Sequence, residues 1–213
     1  MSAVSRRRPF LLGVTGSIGM GKSTTAAFFR EAGVPVWDAD AAVHGVYAPG
    51  GEALAAVARL CPGAVGPLGV DRARLRAAIA ADPALLPRIE AAVHPLVAAD
   101  RAAFIARAAG AGVPLVVLDI PLLYETGAEQ TLDAVLVVTA PASEQRRRVL
   151  SRPGMTEADF AHILSRQVPD AEKCRRADHV IETRTPEQTR AAVHALIEHL
   201  APGAFATGDP RDA

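Results

Sequence analysis

The chain has 213 residues, of which 50% are hydrophobic and 22% are charged, so it can bury a substantial core. Lys and Arg together number 23, as do Asp and Glu, and this balance argues against general attraction to nucleic acid or to a membrane surface. No apolar run approaches the roughly 18 residues that a membrane-spanning helix requires. We therefore expect a cytoplasmic protein with one domain, or with a core and an inserted subdomain.

The first apolar run, Phe10–Val14, predicts a buried strand. It leads into Gly16-Ser17-Ile18-Gly19-Met20-Gly21-Lys22-Ser23, which fills every fixed position of G-x-x-x-x-G-K-[ST], and the residues from Ser23 to Ala32 predict a helix. In this setting the unpartnered N–H groups of the first helical turn converge on an anion. The pattern therefore predicts a nucleotide-binding phosphate loop. Its predicted binding residues are Gly16, Gly19, Met20, Gly21, Lys22, Ser23 and Thr24.

A second predicted strand, Val34–Trp37, ends in Asp38-Ala39-Asp40. The carboxyl end of such a strand faces the phosphate loop, so one carboxylate could accept the proton of an attacking hydroxyl. The alternative is that the aspartates cap the next helix, since Asp is a favourable N-cap residue. We expect one of the two to act as the cap and at least one to serve catalysis or substrate binding.

A third predicted strand, Leu115–Leu118, is followed by Asp119 in an arrangement that resembles a Walker B motif. The side chains that could hold Mg²⁺ are then Ser23 and Asp119, while Lys22 reaches the outer phosphates. A turn acid or a helix cap is the alternative role for Asp119.

The remaining apolar runs are Ala134–Thr139 and a weaker one around Val180–Ile181. Helical patterns separate the strands, and this alternation is typical of an α/β fold with a doubly wound parallel sheet. The predicted nucleotide-binding core comprises residues 9–40, 113–140 and 178–200.

Two segments are longer than a crossover helix needs. Residues 41–112 are helical in pattern and predict an inserted substrate-binding subdomain. In it His94 precedes Pro95 and so lies near a helix end or kink where a ligand could approach, although an isolated histidine is more often an ordinary core or surface residue. Residues 141–177 predict a pair of helices around Pro153-Gly154.

This second segment is rich in arginine. Arg148 and Arg152 share a helix face and are the candidates to stabilise transferring phosphoryl charge, although a solvated face is the ordinary role of such residues. Residues 201–213 predict a disordered tail. Cys61 and Cys174 are far apart and predict reduced thiols.

The phosphate loop alone leaves several classes of protein open. A GTPase needs an Asn/Thr-Lys-x-Asp guanine reader, but the chain contains no asparagine, and its two lysines are Lys22 and Lys173. Adenylate-type kinases usually carry proline within the loop, and this loop has none. A small-molecule kinase and a non-catalytic nucleotide-binding regulator stay open.

The motifs together resemble those of the dephospho-coenzyme A kinase family, in order and spacing, from about residue 10 to residue 200. They are Thr15 to Thr24, Asp38-Ala39-Asp40, His94-Pro95-Leu96, Asp119-Ile120-Pro121-Leu122-Leu123-Tyr124-Glu125 and Arg152-Pro153-Gly154-Met155-Thr156.

The resemblance implies phosphorylation of the ribose 3′-hydroxyl of dephospho-CoA by ATP with Mg²⁺, the last step of coenzyme A synthesis. It implies Asp40 as the base, Lys22, Arg148 and Arg152 as further catalytic residues, and Asp38 and His94 as substrate-binding residues. It also implies that residues 141–177 form a mobile lid over a P-loop kinase core.

Two positions depart from the family pattern. Ser17 stands where the family usually has a second glycine, and a serine can occupy such a turn. Residues 182–186 replace the family's common Asn-x-Gly, so no adenine contact is carried over to them.

Overall fold

The computed structural model of the chain describes residues 8–205. Its strands are β1 Phe10–Thr15, β2 Val36–Asp38, β3 Val65–Gly66, β4 Gly69–Val70, β5 Leu115–Asp119, β6 Ala134–Thr139 and β7 His179–Glu182. Its α-helices are α1 Lys22–Glu31, α2 Ala39–Tyr47, α3 Leu54–Leu60, α4 Arg72–Ala81, α5 Leu85–Gly110, α6 Ala142–Leu150, α7 Glu157–Ser165, α8 Asp170–Arg176 and α9 Pro186–Leu200.

Five strands form one sheet in the order β2-β5-β1-β6-β7. Strand β1 pairs in parallel with β5 on one side and with β6 on the other, and β6 pairs in parallel with β7. The predicted doubly wound α/β architecture is confirmed. Because the connections from β1 and β5 run in opposite directions across the sheet, the loop that follows β1 lies at the switch point where such folds bind ligands.

The described part of the chain forms two compact units. One contains residues 8–37 and 108–205, and the other is Asp38–Arg107. In the first unit, α1 and α9 contribute Phe29 and Ile197 to a core that also contains Leu12 and Leu136, all fully buried. This core supports β1 and therefore the start of the phosphate loop.

The second unit has its own hydrophobic core. Its fully buried side chains come from α3, the residue before it and the short 3₁₀ turn after it, and further core residues come from α4 and the first half of α5. These residues are Ala53, Val57, Ala64, Leu75, Leu85, Ile89 and Val93.

The structure corrects the sequence interpretation inside this second unit. Strands β3 and β4 form a two-stranded antiparallel hairpin that the helical pattern did not predict. Helix α5 continues through Pro95 as one helix of 26 residues, so the helix does not end after His94. A proline can be carried inside a long helix when packing on both sides of it holds the helix together.

Two further corrections lie near the C-terminus. Residues 141–177 form three helices, α6 to α8, rather than the predicted pair. In the predicted disordered tail, Ala201 is buried and Phe205 packs against the core of the first unit. The rest of that tail, residues 206–213, lies outside the described residues.

Strand β2 begins two residues later than predicted and extends to Asp38. Cys61 and Cys174 are both free thiols, as predicted. Within residues 8–205, no helix combines the length and apolar character needed to cross a membrane.

Candidate active site

The phosphate loop joins β1 to α1, as predicted. Gly19 and Gly21 have φ angles of 79° and 89°, in the left-handed region that favours glycine. Gly21 directly precedes α1 and no side chain caps that helix, so the first N–H groups of α1 are left for a ligand. The N-terminus of α1 is thus arranged as an anion-binding site.

The loop is also packed tightly against its neighbours. A Cβ atom on Gly16 would lie 2.6 Å from the backbone oxygen of Val138, and one on Gly21 would lie 2.9 Å from Oγ1 of Thr183. The Met20 sulfur accepts the N–H of Ala140 at 3.1 Å. Close backbone packing, as well as backbone conformation, therefore requires glycine in this loop.

Lys22 and Asp119 form the charged centre of the site. Lys22 Nζ lies 2.6 Å from Asp119 Oδ1, and the two side chains are 17% and 4% exposed. Asp119 ends β5 and stands in register with Val14, so the sheet brings it beside the phosphate loop. The two residues that the sequence assigned to phosphate and to metal are therefore direct neighbours.

The groups around this centre fit a magnesium ion. The chain offers the exposed Ser23 in the first turn of α1 and the buried carboxylate of Asp119. Among residues 8–205, no cluster of three or more His, Cys, Asp or Glu side chains could hold a metal by itself. One carboxylate and one hydroxyl suit Mg²⁺ because this ion usually completes its shell with water and substrate phosphates.

Arg148 projects from α6 and makes several contacts in the same unit. Its Nε donates to Glu144 Oε1 at 2.7 Å, and its Nη atoms donate to Oγ1 and to the carbonyl oxygen of Thr183 at 2.9 and 2.7 Å. Hydrogen bonds from Arg147 and Arg148 lower the pKa of Glu144 to about 2, so its carboxylate is charged at neutral pH. The guanidinium of Arg148 is thereby held against the loop after β7.

An open cavity of about 210 Å³ lies beside the phosphate loop. It is lined by Gly21, Thr24, Arg148, Thr183, Arg184, Thr185, Pro186 and Thr189. Sequence reasoning did not predict Thr183 or Thr189. The only sequence feature that pointed to this region was the departure of residues 182–186 from the family pattern. That departure assigned no role to any side chain.

Thr183 links the loop after β7 to the phosphate loop. Its hydroxyl donates to the carbonyl oxygen of Met20 at 2.8 Å and accepts a hydrogen bond from Arg148 at 2.9 Å. Its own N–H donates to the carbonyl oxygen of Thr139 at 2.8 Å. Thr183 therefore fixes one wall of the cavity against the base of the phosphate loop.

Arg152 follows α6 and has an exposed side chain. Within residues 8–205 its guanidinium makes no hydrogen bond or ion pair, in contrast to the four hydrogen bonds of Arg148. The sequence treated Arg148 and Arg152 as equivalent, whereas in the structure hydrogen bonds hold Arg148 and not Arg152.

The other predicted site residues belong to the second unit. The side chain of Asp38 caps α2 by accepting the N–H of Ala41 at 3.0 Å, which was one of its two expected roles. Asp40 lies exposed in the first turn of α2. His94 lies exposed on α5.

Comparison with known proteins gives a consistent result. A family model described as dephospho-CoA kinase matches residues 10–188. A protein from Cereibacter sphaeroides named dephospho-CoA kinase is 63% identical over 193 residues, covering 91% of this chain and 96% of that protein. A protein of the same name from Jannaschia sp. is 58% identical over 194 residues, covering 91% and 98%.

Solved structures share the fold. A crystal structure of a protein from Thermus thermophilus has a TM-score of 0.78 and 36% identity, covering 92% of this chain and all of that one. A dephospho-CoA kinase from Campylobacter jejuni has a TM-score of 0.66 at 20% identity, also covering 92% of this chain. Since the family model matches residues 10–188 and the relatives cover about nine-tenths of the chain, the chain belongs to the dephospho-CoA kinase family.

Proposed function

We propose that this chain transfers the γ-phosphoryl group of ATP to the ribose 3′-hydroxyl of dephospho-CoA. The observation that carries the proposal is the complete phosphate loop, with Lys22 2.6 Å from the strand-end carboxylate of Asp119, in a chain whose relatives are named dephospho-CoA kinases. Phosphoryl transfer depends chiefly on positioning and on charge neutralisation, and this loop supplies both.

The reaction forms a bond between the ribose O3′ and the γ-phosphorus and breaks the bond from that phosphorus to the β–γ bridging oxygen. ADP leaves with that bridging oxygen, and Lys22 neutralises the negative charge on the outer phosphates. Asp40 accepts the hydroxyl proton. Asp38 and His94 bind the acceptor, while Asp38 keeps its contact with the N-terminus of α2.

Ser23 and Asp119 would hold Mg²⁺, which when bound neutralises phosphate charge and orients the γ-phosphoryl group. Asp119 would hold the ion through its carboxylate, and Lys22 would be the side chain that reaches the outer phosphates. Lys22 Nζ and Asp119 Oδ1 lie 2.6 Å apart, so the side chains assigned to the phosphates and to the ion are direct neighbours.

The cavity lined by Arg148, residues 183–186 and Thr189 is the proposed site of the adenine base. It opens next to Gly21, where the phosphate loop ends, and the planar guanidinium of Arg148 suits stacking on a base. Because hydrogen bonds engage Arg148, we assign it to the wall of the nucleotide site.

The exposed Arg152 is then the arginine that neutralises the γ-phosphoryl group when the predicted lid, residues 141–177, closes and excludes water.

The test is an assay of ADP release with ATP and dephospho-CoA, followed by mass measurement of the product. We expect the amount of ADP released to match the amount of dephospho-CoA that gains one phosphate group. Coenzyme A is the matched control, because it differs from the substrate by the 3′-phosphate and offers no free hydroxyl there. Equal ADP release with either compound, or phosphorylation of another hydroxyl, would contradict the proposal.

The role of Asp40 has a separate test. Asp40→Asn retains the size of the side chain but removes the proton acceptor, so we expect kcat to fall about 100-fold or more while the KM for ATP changes little. Asp82→Asn is a control, because Asp82 is another exposed aspartate of the second unit, at the end of α4. An unchanged kcat for Asp40→Asn would assign the base to another residue.

A further inference from the structure

Ile18 lies in the middle of the phosphate loop, and glutamine side chains hold both polar groups of its backbone. Its N–H donates to Oε1 of Gln167 at 3.2 Å, and its carbonyl oxygen accepts from Nε2 of Gln145 at 2.9 Å. These groups belong to successive peptide planes, so the two contacts together restrict rotation of the backbone about Ile18. The orientation of such planes determines which N–H groups a phosphate loop presents to an anion.

Gln145 comes from a helix that packs directly on the loop. Its side chain is buried, at 6% exposure, although it is polar and lies on α6. One turn further along α6, Val149 lies so close that a Cβ atom on Gly19 would be 2.6 Å from its Cγ2. The side chain that donates to the Ile18 carbonyl oxygen is therefore buried and packed, and it is not a freely rotating surface side chain.

Gln167 lies in the turn between α7 and α8, and a buried ion pair anchors this turn. The N–H of the next residue, Val168, donates to Glu125 Oε1 at 2.8 Å. The same oxygen lies 2.9 Å from Nζ of Lys173, which is completely buried. The turn that carries Gln167, the acceptor for the Ile18 N–H, is thus held in place by Glu125 and Lys173.

The charge on Glu125 persists despite its burial. Burial by itself raises the pKa of Glu125, but the ammonium of Lys173 and backbone N–H groups outweigh it and hold the pKa below its ordinary value. The carboxylate that anchors the turn is therefore ionised at neutral pH.

We propose that Gln145 and Gln167 are positioning residues that set the Ile18 peptide groups of the phosphate loop for the phosphates of the nucleotide. We call the two side chains the glutamine clamp. The inference rests on the proposed function in one respect, namely that the loop binds ATP. It goes beyond the motif because it links the loop to α6 and to the turn before α8, both of which lie within the predicted lid, residues 141–177.

The first experiment removes each hydrogen bond without removing bulk. We expect Gln145→Met and Gln167→Met each to raise the dissociation constant for AMP-PNP, measured by calorimetry, by about tenfold. The KM for ATP should rise in parallel, while the KM for dephospho-CoA should stay close to that of the parent chain. A general structural defect would not separate the two substrates in this way.

The second experiment separates geometry from charge with a matched pair. Glutamate at position 167 can still accept the N–H of Ile18, whereas glutamate at position 145 cannot donate to the carbonyl oxygen. Both variants add one negative charge next to the same loop residue. We therefore expect Gln167→Glu to bind AMP-PNP at least several-fold more tightly than Gln145→Glu, and to recover part of the loss of Gln167→Met.

Each outcome has a definite meaning. Unchanged AMP-PNP affinity in both Met variants would overturn the clamp, and so would equal losses in the two Glu variants. Tighter binding by Gln167→Met would also overturn it, because the glutamine would then compete with a phosphate for the N–H. If the parent chain does not bind AMP-PNP, the proposed function fails and the clamp fails with it. If the Met variants lower the melting temperature, the AMP-PNP affinities of Gln167→Glu and Gln145→Glu still test the clamp.

Discussion

At the residue scale, the pairing of Lys22 with Asp119 is the feature on which the site depends. Two charges that are 17% and 4% exposed stabilise each other at 2.6 Å, and each is also suited to a different part of a magnesium nucleotide. The pair therefore holds both charges in an ordered arrangement.

Replacing Lys22 tests this double role. We expect Lys22→Ala to lower kcat/KM for ATP by about 100-fold or more, because the negative charge on the transferring phosphoryl group loses the ammonium that neutralises it. The free energy of unfolding should also fall by about 1–3 kcal/mol, because the buried carboxylate of Asp119 loses its cation. Urea unfolding and steady-state kinetics measure the two effects.

The double variant Lys22→Ala/Asp119→Asn is the matched control. It also removes the negative charge of Asp119, so most of the lost stability should return while activity stays low. Recovery of activity in the double variant, or full activity in Lys22→Ala, would be incompatible with the assigned role.

At the element scale, the start of α1 depends on Gly21. Its φ of 89° and its approach to Thr183 are both incompatible with a side chain. We expect Gly21→Ala to destabilise the protein by about 1–3 kcal/mol and to weaken AMP-PNP binding, as measured by thermal unfolding and calorimetry.

Gly45 is the matched control for this prediction. It lies exposed within α2, and a Cβ atom there would meet no neighbour within 4 Å. Gly45→Ala should therefore stabilise the protein by about 0.5–1 kcal/mol through helix propensity. A neutral effect of Gly21→Ala on nucleotide affinity would disagree with the packing described for the loop.

Helix α6 gives a prediction on pH. Arg147 and Arg148 lower the pKa of Glu144 from the ordinary 4.5 to about 2, so the folded state binds its proton less readily than the unfolded state. The stability that Glu144 contributes is therefore complete above about pH 4.5 and is lost as the pH falls toward about 2.

Urea unfolding of the parent chain and of Glu144→Gln between pH 2 and pH 7 measures this contribution. We expect the parent to be more stable at neutral pH and the difference to shrink as the pH falls from 4.5 to about 2. A difference that does not change with pH would mean that packing, and not charge, explains the effect.

At the scale of the whole molecule, a buried ion pair joins segments that are far apart in the sequence. Lys173 on α8 is fully buried and pairs with Glu125, which follows β5. Breaking one partner of a buried pair is costly because the other charge is left without compensation. We expect Lys173→Met to lower the free energy of unfolding by about 3–5 kcal/mol, as measured by urea unfolding.

Arg175→Met is the control on the same helix. Its ion pair with Glu172 involves an arginine side chain that is 74% exposed, so the loss should stay below about 1 kcal/mol. Equal effects of the two substitutions would show that burial does not distinguish these pairs.

The phosphate loop, the strands around it and Asp119 were predictable from sequence because their signals are local. An apolar run, a glycine spacing and a strand-end acid each depend on neighbouring residues only. The exact count of helices in residues 141–177 and the hairpin β3–β4 were not predictable, since short elements depend on packing against distant parts of the chain.

The sequence by itself therefore determined the family, the α/β architecture and the residues of the loop. Only the tertiary structure decided that Arg148 binds Thr183, that a cavity opens beside them, and that Gln145 and Gln167 hold two successive peptide groups of the loop. The physical reason is that hydrogen bonds between residues 35 to 149 positions apart leave no periodic pattern in the chain. Such a bond arises only when the sheet and its helices bring the donor and the acceptor together.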